Sequence, residues 1–276
     1  MRCSLSVFDN VLAPQTCQTL TRTLDSDQTY TSHALFRKNC PKNYVEKTLA
    51  AILSELEKDS THETMQAQFV EYWMRRHWKH IEAHADVDEE LAQATGEMRY
   101  PRHAHVLYLQ VGSDVRGPTC VFSEERGADL CRATLAEMAI IPAVDGRLLR
   151  FNGNLLHAVP NPSDVWFVPF SSPPRRRSRS VILFNTWVDP PDISPNTSIL
   201  KIDQSNSTCN ARHEWRNVKL QNYDKPPSAK AKIWLLGDEI RRGQLERTVA
   251  IDISEDVVDS LNSVEAPSIW KIGAKR

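Results

Sequence analysis

The sequence predicts a mainly β domain with flanking helices. Two observations carry that expectation. From about Phe69 to Asp189, short β-type runs follow one another, broken by Gly, Pro, Asn and Asp. Ahead of them, Tyr44 to Asp59 places Leu49, Ile52, Leu53 and Leu56 in the i, i+3, i+4, i+7 pattern of an amphipathic helix. Several short strands with turns between them suggest a sandwich or a closed barrel.

Taken in order, residues 1–70 read mostly helical. Ala13-Pro14-Gln15-Thr16 looks like a helix start and is followed by CQTLTRTL. The β runs are HVLYLQVG, CVF, AEMAIIPA, GRLLRFNGN and SRSVILFNTWV. After Pro190-Pro191 a polar segment extends to about Lys230, and then AKIWLLGD and RTVAIDIS look like two further strands. The apolar content of the C-terminal third is too thin for a core of its own. The expectation is one domain over residues 1–276: helical support at 1–70, a β core at 71–190, and an extension at 191–276 packed on that core.

Composition narrows the function. The chain has 276 residues, 41% hydrophobic and 25% charged, which is ordinary for a globular protein. Lys+Arg 34 against Asp+Glu 35 leaves a net charge of −1, without the basic excess of a dedicated nucleic-acid or membrane-surface protein. The 6 cysteines form no C-x-x-C and read as scattered reduced thiols. No apolar signal-peptide core is visible in MRCSLSVFDNVLAP, and no run approaches the roughly 18–20 apolar residues of a membrane helix. A cytoplasmic location is therefore expected.

The 9 histidines need placing, because histidine is the commonest metal ligand. The segment WKHIEAHADVDE (Trp78 to Glu89) alternates. Ile81, Ala83, Ala85 and Val87 fall on one face of a strand; His80, Glu82, His84 and Asp86 fall on the other. A solvated edge strand is the ordinary reading of such alternation. Two histidines and two carboxylates on one face suit the inner wall of a polar cavity better. A helical reading would also bring His80 and His84 together, but the order H-I-E-A-H does not match the zinc-protease H-E-x-x-H.

His84-Ala85-Asp86 is H-x-D. Strand positions i and i+2 put imidazole and carboxylate on one side, about 7 Å apart along the backbone. Two histidines and one carboxylate form the facial triad of non-haem Fe(II) oxygenases. A second histidine follows in GRLLRFNGNLLHAVPNP, a strand, a turn at Asn152-Gly153-Asn154, and then His157, which lies 71 residues beyond Asp86. The third element is RRRSRSVILFNTWVD, where Arg175, Arg177 and Arg179 share strand parity with Val181, Leu183 and Asn185. An arginine pointing into a cavity with apolar walls must find an anion. A dicarboxylic cosubstrate would supply one through a bidentate pair.

H-x-D, a distal histidine and a basic residue on the next strand together resemble the Fe(II)- and 2-oxoglutarate-dependent dioxygenases, in particular their prolyl-hydroxylase-like branch. FDNVLAPQTCQTL looks like the N-terminal strand and helix of that family, and HVLYLQVG followed by Gly117-Pro118-Thr119 looks like its strand after H-x-D. The resemblance covers roughly residues 5–20 and 70–190. It implies a double-stranded β-helix (jelly-roll) core. It implies His84, Asp86 and His157 as iron ligands, and Arg179 with Tyr108 on the distal carboxylate of 2-oxoglutarate. The basic residue comes 22 residues after His157, about twice the usual interval, so Arg177 and Arg179 remain alternatives.

The implied cofactor is Fe(II), with 2-oxoglutarate and O2 as cosubstrates and ascorbate as a possible accessory. The implied reaction is hydroxylation of a small metabolite or a protein side chain, with release of succinate and CO2. Desaturation is the other outcome consistent with Asp86, since halogenating members lack that carboxylate. His80, Trp78, Glu82 and Asn185 are the substrate-binding candidates. A non-catalytic binding module and a nucleic-acid demethylase of the same fold are the competing readings; the near-neutral charge disfavours the second. No membrane partner is expected, and the sequence leaves oligomeric state open.

Overall fold

Side chains along His103–Val111 alternate between two buried environments, and that alternation sets the architecture. In the computed structural model, Leu107 and Leu109 pack with the helices, while Ala104, Val106 and Tyr108 pack between the sheets. A strand buried on both faces reads as a continuous apolar run, as HVLYLQV does. The structure describes residues 5–25, 33–58, 67–78, 81–112, 117–125, 135–159, 178–192, 215–223, 232–235, 251–254 and 265–274.

The elements are β1 (Leu5–Asp9), α1 (Pro14–Asp25), β2 (Ala34–Arg37), α2 (Tyr44–Lys58), β3 (Phe69–His77), β4 (Ile81–His84), α3 (Glu89–Thr95), β5 (His103–Val111), β6 (Thr119–Glu125), β7 (Leu135–Ile141), β8 (Leu148–Asn152), β9 (Leu155–Val159), β10 (Ser178–Trp187), β11 (Arg216–Asn217), β12 (Gln221–Tyr223), β13 (Lys232–Leu235), β14 (Ile251–Ser254) and β15 (Ser268–Ala274). A seven-stranded sheet runs β11-β1-β8-β5-β10-β3-β2, a six-stranded sheet runs β12-β15-β7-β6-β9-β4, and β13 pairs with β14. From β3 to β6, and again from β7 to β10, successive strands change sheet. That alternation makes the core a double-stranded β-helix, or jelly roll.

The larger sheet carries α1 and α2 on its outer face. Leu20, Val45, Leu49, Ile52 and Leu56 pack there against Tyr72, Leu107, Ile182 and Phe184. The start of α2 is specified locally. Asn43 Oδ1 accepts from Glu46 N at 2.9 Å, and Glu46 Oε2 accepts in turn from Lys42 N at 2.6 Å, a reciprocal cap. Within the described part of residues 1–70 the two helices predominate, and β1 and β2 lie among them and pair with β8 and β3. Short strands of four or five residues carry too little periodicity to stand out beside two longer helices. Beyond residue 190, β11 joins β1 and β15 joins β7, so both sheets are extended by the C-terminal region.

Two glycines are required by close approach. Gly146 has φ +72°, and its amide donates to Tyr108 while its carbonyl accepts from Val11. Gly153, in the turn that carries β8 of one sheet into β9 of the other, lies against Pro101; an added Cβ would stand 2.0 Å from the Pro101 carbonyl oxygen. Gly153→Ala is expected to destabilise the fold by about 1–3 kcal/mol through this overlap. A lowered urea midpoint at unchanged m-value checks it.

Candidate metal centre and anion pocket

β4 and β9 are neighbours in the smaller sheet, with His84 directly opposite His157. Residues opposite each other on paired strands share a face, so both imidazoles project the same way. Their ring centroids are 4.3 Å apart. Ala83, Ala85 and Val87 are buried on the opposite face, as the alternation of the sequence requires. The strand itself ends at His84, however, and Asp86 lies in the following segment rather than at a strand position. The reason is local: Asp88, two residues on, caps α3. Its Oδ1 accepts from Leu91 N at 3.2 Å, and its Oδ2 accepts from the Arg99 guanidinium and from Asp192 N at 2.9 Å. The Asp88 side chain is fully buried, so this network pins the chain leaving β4 and with it the position of Asp86.

Asp86 Oδ1 faces Nε2 of His84 at 3.7 Å and Nε2 of His157 at 3.9 Å. These separations exceed a hydrogen bond. Ligand atoms held at about 2.1 Å from one cation stand about 3–4 Å apart, so the spacing suits a shared metal ion. One ligand atom from each of the three residues lies within 4.8 Å of the others, which no other set of histidine, cysteine or acidic residues matches among the described residues. His157 Nδ1 lies 3.4 Å from the Leu155 carbonyl oxygen. A proton on Nδ1 donates there and leaves the Nε2 lone pair facing Asp86, the tautomer a metal ligand requires. The ring of Phe151 lies 5.0 Å from that of His157.

A second candidate site, the candidate anion pocket, is formed by residues of β5, β6 and β10 and by Gly117. Arg179 is buried. Its Nε donates to the Gly117 carbonyl at 2.7 Å, its Nη2 donates to Thr119 Oγ1 at 2.9 Å, and its guanidinium lies 5.0 Å from the centroid of the Tyr108 ring. All these partners are neutral. Burial lowers the arginine pKa, and the neighbouring Tyr108 acts in the opposite direction. Tyr108 and Thr119 join their hydroxyls at 2.7 Å. Two hydroxyl protons serve one bond between them, and Thr119 also accepts from Arg179, so one O–H is left over to donate. The guanidinium has no carboxylate partner among the described residues and stands beside a spare O–H, an arrangement whose chemistry is compatible with an anionic acceptor.

The pocket and the triad share one sheet face. Val121 stands opposite His157 across β6 and β9, and Thr119 lies two residues earlier on the same side of β6. Thr119, Gly117 and the Leu155 carbonyl carry no local sequence signal of their contacts with Arg179 and His157, because strand pairing and the turns beside it bring those partners together.

The remaining candidates fall in different places. Asn185 is buried and faces the interior, in the row Asn185–Ala104–Phe151 across β10, β5 and β8, and its Oδ1 has no hydrogen-bond partner. Trp78 packs against Gly117 beside Arg179. His80, Arg177 and the side chain of Glu82 lie outside the described residues. His103 and His105 occupy the outer face of the larger sheet. Burial, with Arg150 and Arg102 nearby, pushes His103 down to about 3; burial also depresses His105, which stacks on Phe184. Cys17, Cys40 and Cys120 are free thiols. No helix among the described residues is long and apolar enough to cross a membrane.

No family model and no curated protein matches the sequence. Among solved structures, the chain is similar to a Pseudomonas putida prolyl-4-hydroxylase at 13% identity and TM-score 0.44, over 67% of this chain and 86% of that one. It is also similar to a viral collagen prolyl hydroxylase from Paramecium bursaria Chlorella virus-1 (14% identity, TM-score 0.40, 67% and 88% covered). A third is HygX from Streptomyces hygroscopicus with iron bound (12% identity, TM-score 0.40, 67% and 82% covered).

Proposed function

We propose that this chain is an Fe(II)- and 2-oxoglutarate-dependent oxygenase that hydroxylates a small metabolite or a protein side chain, releasing succinate and CO2. The observation that carries the reading is the convergence of His84, Asp86 and His157, one ligand atom from each within 4.8 Å of the others. Two neutral nitrogens and one carboxylate oxygen suit Fe(II) and leave coordination positions open. The anion pocket supports the same reading, because the guanidinium of Arg179 matches a carboxylate and sits on the sheet face that bears His157.

The residues present fit the cofactor. His84, Asp86 and His157 would hold the iron; Arg179, with Tyr108 and Thr119, would receive the distal carboxylate of 2-oxoglutarate. When bound, iron with 2-oxoglutarate and O2 supplies oxidative decarboxylation coupled to oxygen insertion into a substrate C–H bond. The chain's own contribution is positioning. The Leu155 carbonyl orients His157, the Asp88 network holds Asp86, and the guanidinium of Arg179, being buried, would hold the cosubstrate carboxylate where a charge interaction is stronger than in water. Asn185, with an unpaired buried Oδ1, offers an acceptor to a substrate hydroxyl or amine.

A cytoplasmic protein acting on a small molecule or a protein, with no role for nucleic acid, belongs to the same proposal. Its test is anaerobic titration with Fe(II) and 2-oxoglutarate. A weak visible charge-transfer band is expected, followed by succinate formation on admitting O2. Iron binding without the band, and without succinate, would leave a non-catalytic binding module.

A further inference from the structure

The oxygenase reading leaves one polar atom beside the anion pocket unexplained, and the inference drawn from it rests on that reading. Trp78 follows β3, where the chain crosses from the larger sheet towards β4. Its Nε1 is buried and makes no hydrogen bond. Indole N–H is a donor only, and a buried donor without an acceptor is rare in native proteins.

The surroundings of that N–H are informative. A Cβ added to Gly117 would stand 3.2 Å from Trp78 Cδ1, 2.7 Å from Arg179 Cδ and 3.2 Å from Arg179 Nε. Cδ1 is bonded to Nε1, so the pyrrole edge of the indole and the guanidinium stem converge on one glycine, from which no side chain projects. The Gly117 carbonyl is already taken by Arg179 Nε. The remaining N–H groups of Arg179 face no carboxylate among the described residues, and one hydroxyl proton of the Tyr108–Thr119 pair is spare. Trp78 Nε1 is the unsatisfied polar atom at this place, it is a donor, and the groups beside it also offer donors, so what the place calls for is an acceptor that carries no proton.

We propose that Trp78 donates its indole N–H to the carboxylate that Arg179 binds, the distal carboxylate of 2-oxoglutarate, and so is a specificity residue for dicarboxylic over monocarboxylic 2-oxo acids. The residue at the sheet crossover thus belongs to the cosubstrate pocket.

Trp78→Phe keeps an aromatic ring and removes the N–H. The full chain, loaded with Mn(II) in the absence of O2, is titrated calorimetrically with 2-oxoglutarate and with pyruvate, which has the 2-oxo acid but no second carboxylate. The variant is expected to bind 2-oxoglutarate about tenfold more weakly, with its affinities for pyruvate and for Mn(II) unchanged. Equal binding of 2-oxoglutarate by variant and wild type overturns the proposal and leaves the oxygenase reading standing. Equal weakening for both acids also overturns it, since that is the signature of a packing role. Failure of the wild-type protein to bind 2-oxoglutarate overturns both. A second measurement needs no variant: in wild-type protein carrying 15N-labelled tryptophan, one indole N–H resonance should move downfield with 2-oxoglutarate and not with pyruvate. The absence of such a resonance counts against Trp78 as a donor.

Discussion

His84→Ala is expected to abolish metal binding and, with it, succinate formation. His84 supplies one of three converging ligand atoms, and its Nε2 lies 3.7 Å from Asp86 Oδ1. Removing a group that merely orients a ligand typically costs about 10–100-fold in metal affinity or activity, so loss of a ligand itself should exceed about 100-fold. The same reasoning applies to Asp86→Ala and His157→Ala. A thermodynamic readout separates this loss from a folding defect. Mn(II) at 100 times its dissociation constant should stabilise the wild-type protein by about 2.7 kcal/mol, raising Tm by roughly 5 °C for a chain of this size. In the His84→Ala protein that metal-dependent rise should vanish, while Tm without metal moves by only a degree or two. A ligand variant that keeps the full metal-dependent rise would remove this residue from the centre.

The second large effect is expected at Arg179. Arg179→Met removes a buried charge whose protein partners are the neutral Gly117 carbonyl, the Thr119 hydroxyl and the face of Tyr108. No carboxylate among the described residues is orphaned by the change, and an unbranched apolar side chain fills much the same space. The fold should therefore tolerate it, at a cost of about 1–3 kcal/mol from the Gly117 carbonyl that loses its donor. Cosubstrate binding should not tolerate it. A hydrogen bond to a charged group is worth about 1.5–3 kcal/mol, so the Kd for 2-oxoglutarate should rise roughly 10- to 150-fold. Arg179→Lys retains the charge but loses the planar fork, and should fall between the two. Calorimetry on Mn(II)-loaded protein measures all three. Unchanged affinity in Arg179→Met would transfer the cosubstrate carboxylate to another residue, with Arg177 the first alternative.

Much of the centre was legible because strand alternation is a local property. The period-two pattern of Trp78 to Glu89 puts Ala83, Ala85 and Val87 into the core, and the same pattern turns His84 the other way. The parity of Arg179 with Val181 and Leu183 is likewise local, and those two residues do pack inside the sheets. Where a local feature is interrupted, legibility stops. The strand ends at His84 because Asp88 caps a helix too short to show as a periodic signal. The ladder of β10 with β5 shifts register between Ser180 and Val181, an irregularity that no residue pattern announces.

What remained hidden is long-range. Arg179 finds Gly117 and Thr119 at separations of 62 and 60 residues, and Trp78 meets Gly117 across the gap between the two sheets. The sequence by itself determined the β class, the amphipathic helix, the residue types of the candidate metal triad and the strand parity of Arg179. Those follow from side-chain chemistry and from the periods of strand and helix, which are properties of neighbours along the chain. Only the tertiary structure decided that His84 stands opposite His157, that Asp86 reaches both from outside the strand, and that Trp78 lies with Arg179. Those depend on which strands pair and in which register, and pairing is settled by the shared burial of both sheets rather than by any one segment.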